Sequence, residues 1–200
     1  MKKKHSSRQN QIIKESIKII HTKGIQGLTI KNIATAINVT EAAIYRHFKS
    51  KDEIISTILD DFKFDLDKNA ENVIKNKQLT AYEKLNSILN YMAGVFCDNP
   101  YIVSVIFSDE IFKNKLALYD KIIDIIKQNS EYFFLIAKEG QKKGEMRSDI
   151  SCEELSVIIM GSFRMIIKNW QISHHSYSLK KRGEDFLKSL FKIISTEFPK

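Results

Sequence analysis

The chain has 200 residues and a net charge of +8, and 43% of its residues are hydrophobic, which is ample for a packed core. It contains only two prolines and seven glycines, and no segment alternates apolar and polar residues for long, so a β-sheet is not expected. The first ten residues lack the apolar centre of a signal peptide, and the apolar run near residues 157–163 is too short to span a bilayer. We therefore expect an all-α, cytoplasmic protein.

The excess positive charge lies in the first quarter of the chain. Residues 1–50 contain ten Lys and Arg but only two acidic side chains, so their net charge of +8 equals that of the whole chain. Because the chain has 32 basic and 24 acidic side chains in all, residues 51–200 contain 22 of each sign. A basic segment joined to a neutral body is typical of a nucleic-acid-binding module. A lysine-rich surface that is merely solvated is the alternative.

The first predicted helix runs from near Ser7 to about Lys23, and two short helices joined by a tight turn follow within residues 28–51. Thr29 is expected to cap the first of these two, whose apolar residues recur with helical spacing. These apolar residues are Ile30, Ile33, Ala34 and Ile37. Asn38 follows at the point where a helix that ends in the left-handed conformation requires Gly or Asn.

The next short helix has two different faces. Thr40 is expected to cap it, and Ile44 and Phe48, four residues apart, are expected to point inward. The side chains expected to point outward are Glu41, Ala42, Tyr45 and Arg46. A short helix with a polar and aromatic outer face fits the major groove of DNA, which admits one α-helix.

Six further helices are predicted, which brings the total to about nine. Four of their starts are marked by capping residues, namely Ser50, Thr80, Asn99 before Pro100, and Ser151. Their expected bounds are about 51–66, 81–97, 100–112, 113–139, 152–172 and 180–198. The resulting architecture is an N-terminal three-helix DNA-binding head with a helix-turn-helix, followed by a larger C-terminal helical bundle. The first helix of the bundle joins the head to the body.

The last two predicted helices contain more apolar surface than one helix face can bury. Between residues 155 and 167 the only charge is Arg164, so this helix must be buried on more than one side. Packing both helices against a second copy in a four-helix bundle would satisfy this requirement, and a thick core within one chain is the alternative. The residues predicted at the dimer interface are Leu155, Ile159, Phe163, Ile166, Phe186, Leu187, Leu190, Phe191 and Ile194.

Two stretches carry a family resemblance, G-I-Q-G-L-T-I-K-N-I-A at residues 24–34 and V-T-E-A-A-I-Y-R-H-F-K-S-K at residues 39–51. They are similar to the entry and the recognition helix of the TetR family of bacterial transcriptional regulators. Asn38 replaces the usual glycine of the turn, and Ala42-Ala43 replaces a common Gly-Thr pair. The resemblance implies a helix-turn-helix DNA-binding domain at residues 1–51 and a ligand-binding and dimerisation domain at residues 52–200.

The resemblance also implies roles at the DNA surface. The implied DNA-binding residues are Thr29, Lys31, Thr40, Glu41, Ala42, Ala43, Tyr45, Arg46, His47 and Lys51. Tyr45 and His47 are expected to donate hydrogen bonds to phosphates, and Arg46 to bind a phosphate or a guanine. Lys31 is misplaced for the helix dipole, so a DNA anion would explain it, whereas an ordinary exposed lysine is the alternative. The basic arm at residues 2–8 either adds attraction to DNA or is simply solvated.

These expectations combine into a homodimeric, ligand-responsive repressor. Its two heads would occupy successive major grooves of a palindromic operator, with centres about 34–36 Å apart. A small apolar or aromatic effector in the helical body would release the DNA. The candidate pocket residues are Met92, Phe96, Phe107, Phe133, Phe134, Ile136, Met160, Phe163 and Arg164. Each of them is otherwise ordinary core, and Arg164 is the group expected to pair with an acidic head group.

Two other classes of function are weighed against this one. A DNA-binding protein without a small-molecule effector, acting architecturally or through a protein partner, would have no enclosed cavity in its body. An enzyme is disfavoured, because the five histidines form no metal-binding motif and neither a nucleophile elbow nor a phosphate loop occurs. Cys97 and Cys152 lie far apart and are interpreted as buried thiols, so no metal or cofactor is expected.

Overall fold

The computed structural model describes residues 5–108 and 115–196, and nine α-helices account for most of them. The helices are α1 (Ser7–Lys23), α2 (Ile30–Ala36), α3 (Glu41–Tyr45), α4 (Lys51–Lys75), α5 (Ala81–Asp98), α6 (Ile102–Ile106), α7 (Leu116–Lys142), α8 (Cys152–Ile172) and α9 (Leu179–Ile194). A short 3₁₀ helix (Ile25–Gly27) separates α1 from α2. In these two ranges the only β-type pairing is one isolated bridge between Met146 and Ser195. The all-α prediction is confirmed.

Contacts divide the chain into two compact units. Unit 1 comprises Met1–Asp65 and Asn99–Ile125, and unit 2 comprises Leu66–Asp98 and Ile126–Lys200. The helices α4 and α7 therefore contribute residues to both units. The compact unit that contains α1–α3 also includes residues of α4, α6 and α7. The predicted division at residue 51 separates two functions rather than two compact units, and it stays a prediction.

Unit 1 begins with a helix that is capped at both ends. The Ser6 hydroxyl accepts a hydrogen bond from the backbone N–H of Gln9 (3.2 Å), and the Gln9 side chain accepts one from the N–H of Ser6 (2.9 Å). Gly24, with φ at +68°, ends α1 in a conformation that favours glycine. The side chains that α1–α4 bury in this unit include Ile12, Ile17, Ile20, Ile33, Ile44, Ile54 and Ile58, and Phe48 is buried between α3 and α4.

Unit 2 contains the capping boxes that the sequence predicts. The Thr80 hydroxyl accepts from the N–H of Glu83 (3.2 Å), whose carboxylate accepts from the N–H of Thr80 (2.8 Å). Ser151 and Glu154 repeat this exchange at the start of α8. The core of this unit includes Leu85, Leu89, Phe96, Phe133, Ile136, Leu155, Ile159, Phe163, Trp170, Leu187 and Ile194.

Several helix bounds differ from those predicted. The helix α3 already ends at Tyr45, before Phe48, and α4 continues to Lys75, about nine residues past its expected end. The helix α6 begins at Ile102 rather than at Pro100, because the carbonyl of Asn99 accepts a hydrogen bond from the N–H of Ile102 (3.0 Å) and closes a turn first. The helix α7 continues to Lys142, three residues past the predicted end at Glu139. Other sequence expectations lie outside the described residues, namely those on Lys2, Lys3, Lys4, Phe112, Lys113 and Phe198. Within the described ranges, no helix combines the length and the hydropathy needed to cross a membrane.

Candidate nucleic-acid interface

The turn between α2 and α3 is set by short-range hydrogen bonds. The Thr29 hydroxyl accepts from the N–H of Asn32 (3.1 Å) and caps α2, as predicted. Asn38 has φ at +53°, the left-handed conformation expected of it, and the next residue, Val39, donates its N–H to the carbonyl of Ala34 (2.9 Å). This arrangement ends α2 and starts the chain in a new direction.

The recognition helix α3 has one buried and one exposed face, as predicted. The Thr40 hydroxyl accepts from the N–H of Ala43 (3.2 Å) and caps the helix. Ile44 is 0% exposed and Phe48 is 3% exposed, so both anchor α3 to the core of unit 1. Tyr45, in contrast, is 53% exposed. A helix this short is held by its cap and by these two anchors rather than by its own hydrogen bonds.

All ten predicted DNA-binding residues reach the surface of unit 1. The exposed ones are Thr29, Lys31, Thr40, Glu41, Ala42, Tyr45 and Arg46. The half-buried ones are Ala43, His47 and Lys51. The surface that they form, here called the recognition surface, presents hydroxyl, guanidinium, ammonium and imidazole groups. These groups can donate hydrogen bonds to phosphates and to base edges.

Hydrogen bonds also set the start of α4, the helix that follows the recognition surface. The Ser50 hydroxyl accepts from the N–H of Glu53 (3.2 Å), and the Glu53 carboxylate accepts from the N–H of Lys49 (2.6 Å). This exchange starts α4 at Lys51 and places that lysine in its first turn.

The sequence did not predict that three acids on α4 have partners from distant segments of unit 1. Three aspartates there each face a basic side chain from a distant segment. The pairs are Asp52 with Lys115 (2.6 Å), Asp61 with His5 (2.8 Å) and Asp60 with Lys121. Because each pair joins residues far apart in the chain, no local pattern indicated it. Pairing reduces the repulsion that free carboxylates would exert on a nearby anion.

Unit 2 buries only part of the predicted pocket. Phe96, Phe133, Ile136 and Phe163 are each 1% exposed, and Met92, Phe134 and Met160 are half-buried. Phe107 is half-buried and belongs to unit 1. Arg164 is exposed on α8 and does not point into the core of unit 2, and its pairing with an acidic head group stays a prediction. It lies one residue from the buried Phe163, and a single helical step of about 100° is enough to bring it outside.

The predicted dimer residues also lie largely inside the chain. Phe186 and Phe191 are half-buried. The others are at most 8% exposed, so a second copy has almost no surface of theirs to cover; they are Leu155, Ile159, Phe163, Ile166, Leu187, Leu190 and Ile194. The apolar side chains that α8 exposes are instead Val157, Ile158, Met165 and Ile172. The prediction selected the inner stripe because α8 is apolar on both sides.

Unit 2 contains an ion pair whose lysine is buried and whose glutamate is half-buried. Lys84 on α5 is 1% exposed, and its Nζ lies 2.6 Å from Oε2 of Glu139 on α7. The same Nζ donates a hydrogen bond to the carbonyl of Ile74 (3.2 Å). Hydrogen bonds from Lys143 and Lys84 lower the pKa of Glu139 from 4.5 to about 2. The pair therefore ties α5 and α7 to the end of α4.

Two known sequence families match most of the chain. Residues 12–58 match the family described as bacterial regulatory proteins, tetR family. Residues 74–193, more than half of the chain, match the family described as YsiA-like protein, C-terminal region. The first match contains the recognition surface, and the second contains helices α5–α8 and nearly all of α9.

The chain is similar to two known regulators over nearly its whole length. It is 24% identical over 184 residues to the fatty acid metabolism regulator protein of Bacillus subtilis (strain 168), covering 92% of this chain and 94% of the relative. It is 22% identical over 193 residues to the HTH-type transcriptional repressor DhaR of Mycobacterium sp. (strain GP1), covering 94% of each.

Two solved structures share the fold. The transcriptional regulator FadR from Bacillus subtilis, in complex with stearoyl-CoA, has a TM-score of 0.76 at 24% identity and covers 91% of this chain and 97% of its own. The ketosteroid transcriptional regulator KstR2 of Mycobacterium tuberculosis has a TM-score of 0.84 at 16% identity and covers 97% and 98%. The TM-scores establish a shared architecture. At identities this low, the likeness concerns the fold alone.

Proposed function

This chain belongs to the TetR family of bacterial DNA-binding transcriptional regulators, and on that premise we propose that it acts in the cytoplasm as a homodimeric repressor of its operator. The recognition surface of each copy reads one half-site. The two half-sites are related by two-fold symmetry and lie about 34–36 Å apart, one turn of the duplex.

The observation that carries the proposal is the outward face of α3. Tyr45 is an aromatic side chain that is 53% exposed, although burial would stabilise it, and Arg46, which follows it, is exposed as well. Ile44 and Phe48 fix the helix from beneath, so the outer side chains are held on a rigid element. A rigid, exposed donor surface on a basic segment suits a nucleic-acid backbone and the base edges of a major groove.

Release of the DNA depends, in this proposal, on an acyl chain with an anionic head group that binds unit 2. A relative is named for fatty acid metabolism, and a solved structure of similar fold contains stearoyl-CoA. Large apolar side chains inside unit 2, such as Phe96, Phe133 and Phe163, are chemically suited to line an acyl chain. The helix α4, whose residues belong to both units, is the element proposed to carry the change to the head.

Selection of bound DNA from a random library, at stated salt, tests the DNA-binding part. The wild-type protein is expected to enrich a palindrome, and Tyr45→Ala is expected to bind it more weakly. Tyr119→Ala is the matched control, because Tyr119 in α7 is a similarly exposed tyrosine (50%) outside the recognition surface. Failure to enrich any palindrome, or equal losses in the two variants, would contradict the proposal.

The enriched operator then serves to test the effector. Fluorescence anisotropy of labelled operator should show release by stearoyl-CoA but not by coenzyme A alone, which separates the acyl chain from its carrier. By linkage, operator DNA should weaken stearoyl-CoA binding by the same factor. If the operator is selected but no acyl compound releases it, a regulator without a small-molecule effector is the better description.

A further inference from the structure

Unit 2 has an open cleft of about 720 Å³ on its surface. Its walls are the start of α5, the loop that follows α7 and the end of α9. A volume of this size lies in the range of about 300–1,000 Å³ that is usual for small-molecule sites. The side chains proposed above to line an acyl chain, Phe96, Phe133 and Phe163, are not part of its lining. The cleft is therefore a different candidate site from the apolar core.

Hydrogen bonds between distant segments hold the walls of the cleft in place. The carboxylate of Glu145, in the loop, accepts from the backbone N–H of Ala81 at the start of α5 (2.5 Å). The hydroxyl of Thr196, just after α9, donates to the carbonyl of Gly144 in the same loop (2.7 Å). All three walls are thus joined in the folded chain, so a ligand does not have to order them when it binds.

Two aromatic rings form the apolar part of the lining. The rings of Tyr82 on α5 and Phe191 on α9 meet edge to face, with centroids 5.0 Å apart and planes at 77°. Both side chains are half-buried, so part of each ring remains uncovered. Aromatic rings pack favourably in stacked or edge-to-face pairs. A planar aromatic ligand would cover this part of the lining.

The charged part of the lining favours an anion. Lys188 and Lys192 both line the cleft, and because they are four residues apart they lie on the same side of α9. Both are exposed, and within residues 5–108 and 115–196 neither forms an ion pair; Asp185, one turn before Lys188, already has Lys181 as its partner (2.8 Å). The carboxylate of Glu145 is occupied by its own hydrogen bond. Two ammonium groups are therefore available to a carboxylate, which they bind through charge-assisted hydrogen bonds.

We propose that this cleft binds a small aromatic carboxylate. The ring packs against Tyr82 and Phe191, and the carboxylate lies between Lys188 and Lys192. A neutral aromatic compound would leave both ammonium groups unused, and an anion without a ring would leave both rings uncovered. The site is additional to the acyl site proposed above, and its existence depends neither on that effector nor on the operator.

Calorimetric titration with 2-naphthoate tests the class of ligand. The protein should bind 2-naphthoate at least tenfold more tightly than 2-naphthamide, which has nearly the same shape without the charge, because two weak ion pairs are lost. Acetate, which has the charge without the ring, should also bind at least tenfold more weakly. No detectable binding of 2-naphthoate at millimolar concentration, or equal binding of 2-naphthoate and 2-naphthamide, would overturn the proposal.

Substitutions in the lining test the position of the site. Lys188→Gln and Lys192→Gln should each raise the dissociation constant of 2-naphthoate about three- to fivefold. Phe191→Leu should raise it at least twofold, because the ring is lost. Lys180→Gln is the matched control, since Lys180 is an exposed lysine of α9 outside the cleft, and it should bind as the wild type does. Circular dichroism checks that the variants keep their helix content. Wild-type affinity in both lysine variants of the cleft would overturn the proposal.

Photolabelling locates the bound ring without relying on affinities. Irradiation with 4-azidobenzoate, an aromatic carboxylate, should label peptides that contain Tyr82 or Phe191, and excess 2-naphthoate should protect them. Label confined to peptides that contain Phe96, Phe133 or Phe163 would place the ligand in the apolar core and overturn the proposal. None of these measurements uses DNA or an acyl compound, so their failure would leave the proposed repressor function intact.

Discussion

The recognition surface of unit 1 and the core of unit 2 place their cations in opposite surroundings. In unit 1, Lys31 and Arg46 are exposed on the recognition surface. In unit 2, Lys84 is 1% exposed, and Glu139 and the carbonyl of Ile74 satisfy its ammonium group. An exposed cation contributes little to folding but is available to a phosphate, whereas a buried cation must be paired. Substitution of Lys31 or Arg46 should therefore change DNA binding, and substitution of Lys84 should change stability.

The largest expected effect comes from Lys84. Lys84→Met keeps the length and the apolar stem of the side chain but removes the ammonium group. It leaves the Ile74 carbonyl and one side of the Glu139 carboxylate without their donor, so the free energy of unfolding should fall by about 2–3 kcal/mol. Denaturant unfolding followed by circular dichroism measures this loss. Affinity for the operator should be unchanged at temperatures where the variant is folded.

Lys77 provides a matched control on the same carboxylate. Its Nζ lies 3.8 Å from Oε2 of Glu139, but the side chain is 77% exposed. Lys77→Met should therefore change the free energy of unfolding by no more than about 0.5 kcal/mol. Equal losses in the two variants would show that burial is not what makes Lys84 important.

The pH dependence of stability tests the same ion pair through the titration of its carboxyl group, Glu139. The pKa of Glu139 is lowered from 4.5 to about 2 in the folded chain. A carboxyl group of this kind stabilises the fold above its unfolded pKa, and its contribution is lost as the pH falls from 4.5 towards 2. Unfolding measured at a series of pH values should show a steeper loss over this interval for the wild type than for Glu139→Gln. Glu131→Gln, an exposed substitution on the same helix, should keep the wild-type slope.

The two units also differ in how far the sequence alone predicts them. The caps at Thr29 and Thr40 and the left-handed Asn38 were predicted correctly, because each depends on residues within a few positions. The pair between Lys84 and Glu139 was not predicted, since 55 residues separate its members and a lysine is ordinarily expected at the surface.

The helix α8 shows a different limit of prediction. Its existence and its capping box at Ser151 were predicted, but the stripe assigned to the dimer proved to be the inner one. Val157 and Ile159 are equally apolar, yet they are 63% and 0% exposed. Hydrophobicity cannot distinguish two sides of a helix when both are apolar. That distinction comes from the rest of unit 2, which packs on one side only.

The cap of α3 connects local structure to DNA binding. Thr40→Ala removes the hydroxyl that accepts from the N–H of Ala43, and an N-cap of this type contributes about 1 kcal/mol. Stability should fall by about that amount, and operator affinity should fall as well because α3 becomes less ordered. Thr22→Ala is the control, since its exposed hydroxyl donates to the carbonyl of Lys18 within α1 and caps nothing. If operator affinity is kept while stability falls, α3 does not read the DNA.

The smallest effect, and the one most specific to the recognition surface, is expected at Lys31. If its ammonium group neutralises one phosphate, Lys31→Gln removes one released counterion per copy and flattens the log–log salt dependence of affinity by about one unit per phosphate contact. Stability should not change, because the side chain is exposed. Lys142→Gln, an exposed lysine in unit 2, should leave the slope unchanged. Equal slopes for Lys31→Gln and the wild type would remove Lys31 from the DNA contacts, and Lys51 would then be the next lysine to test.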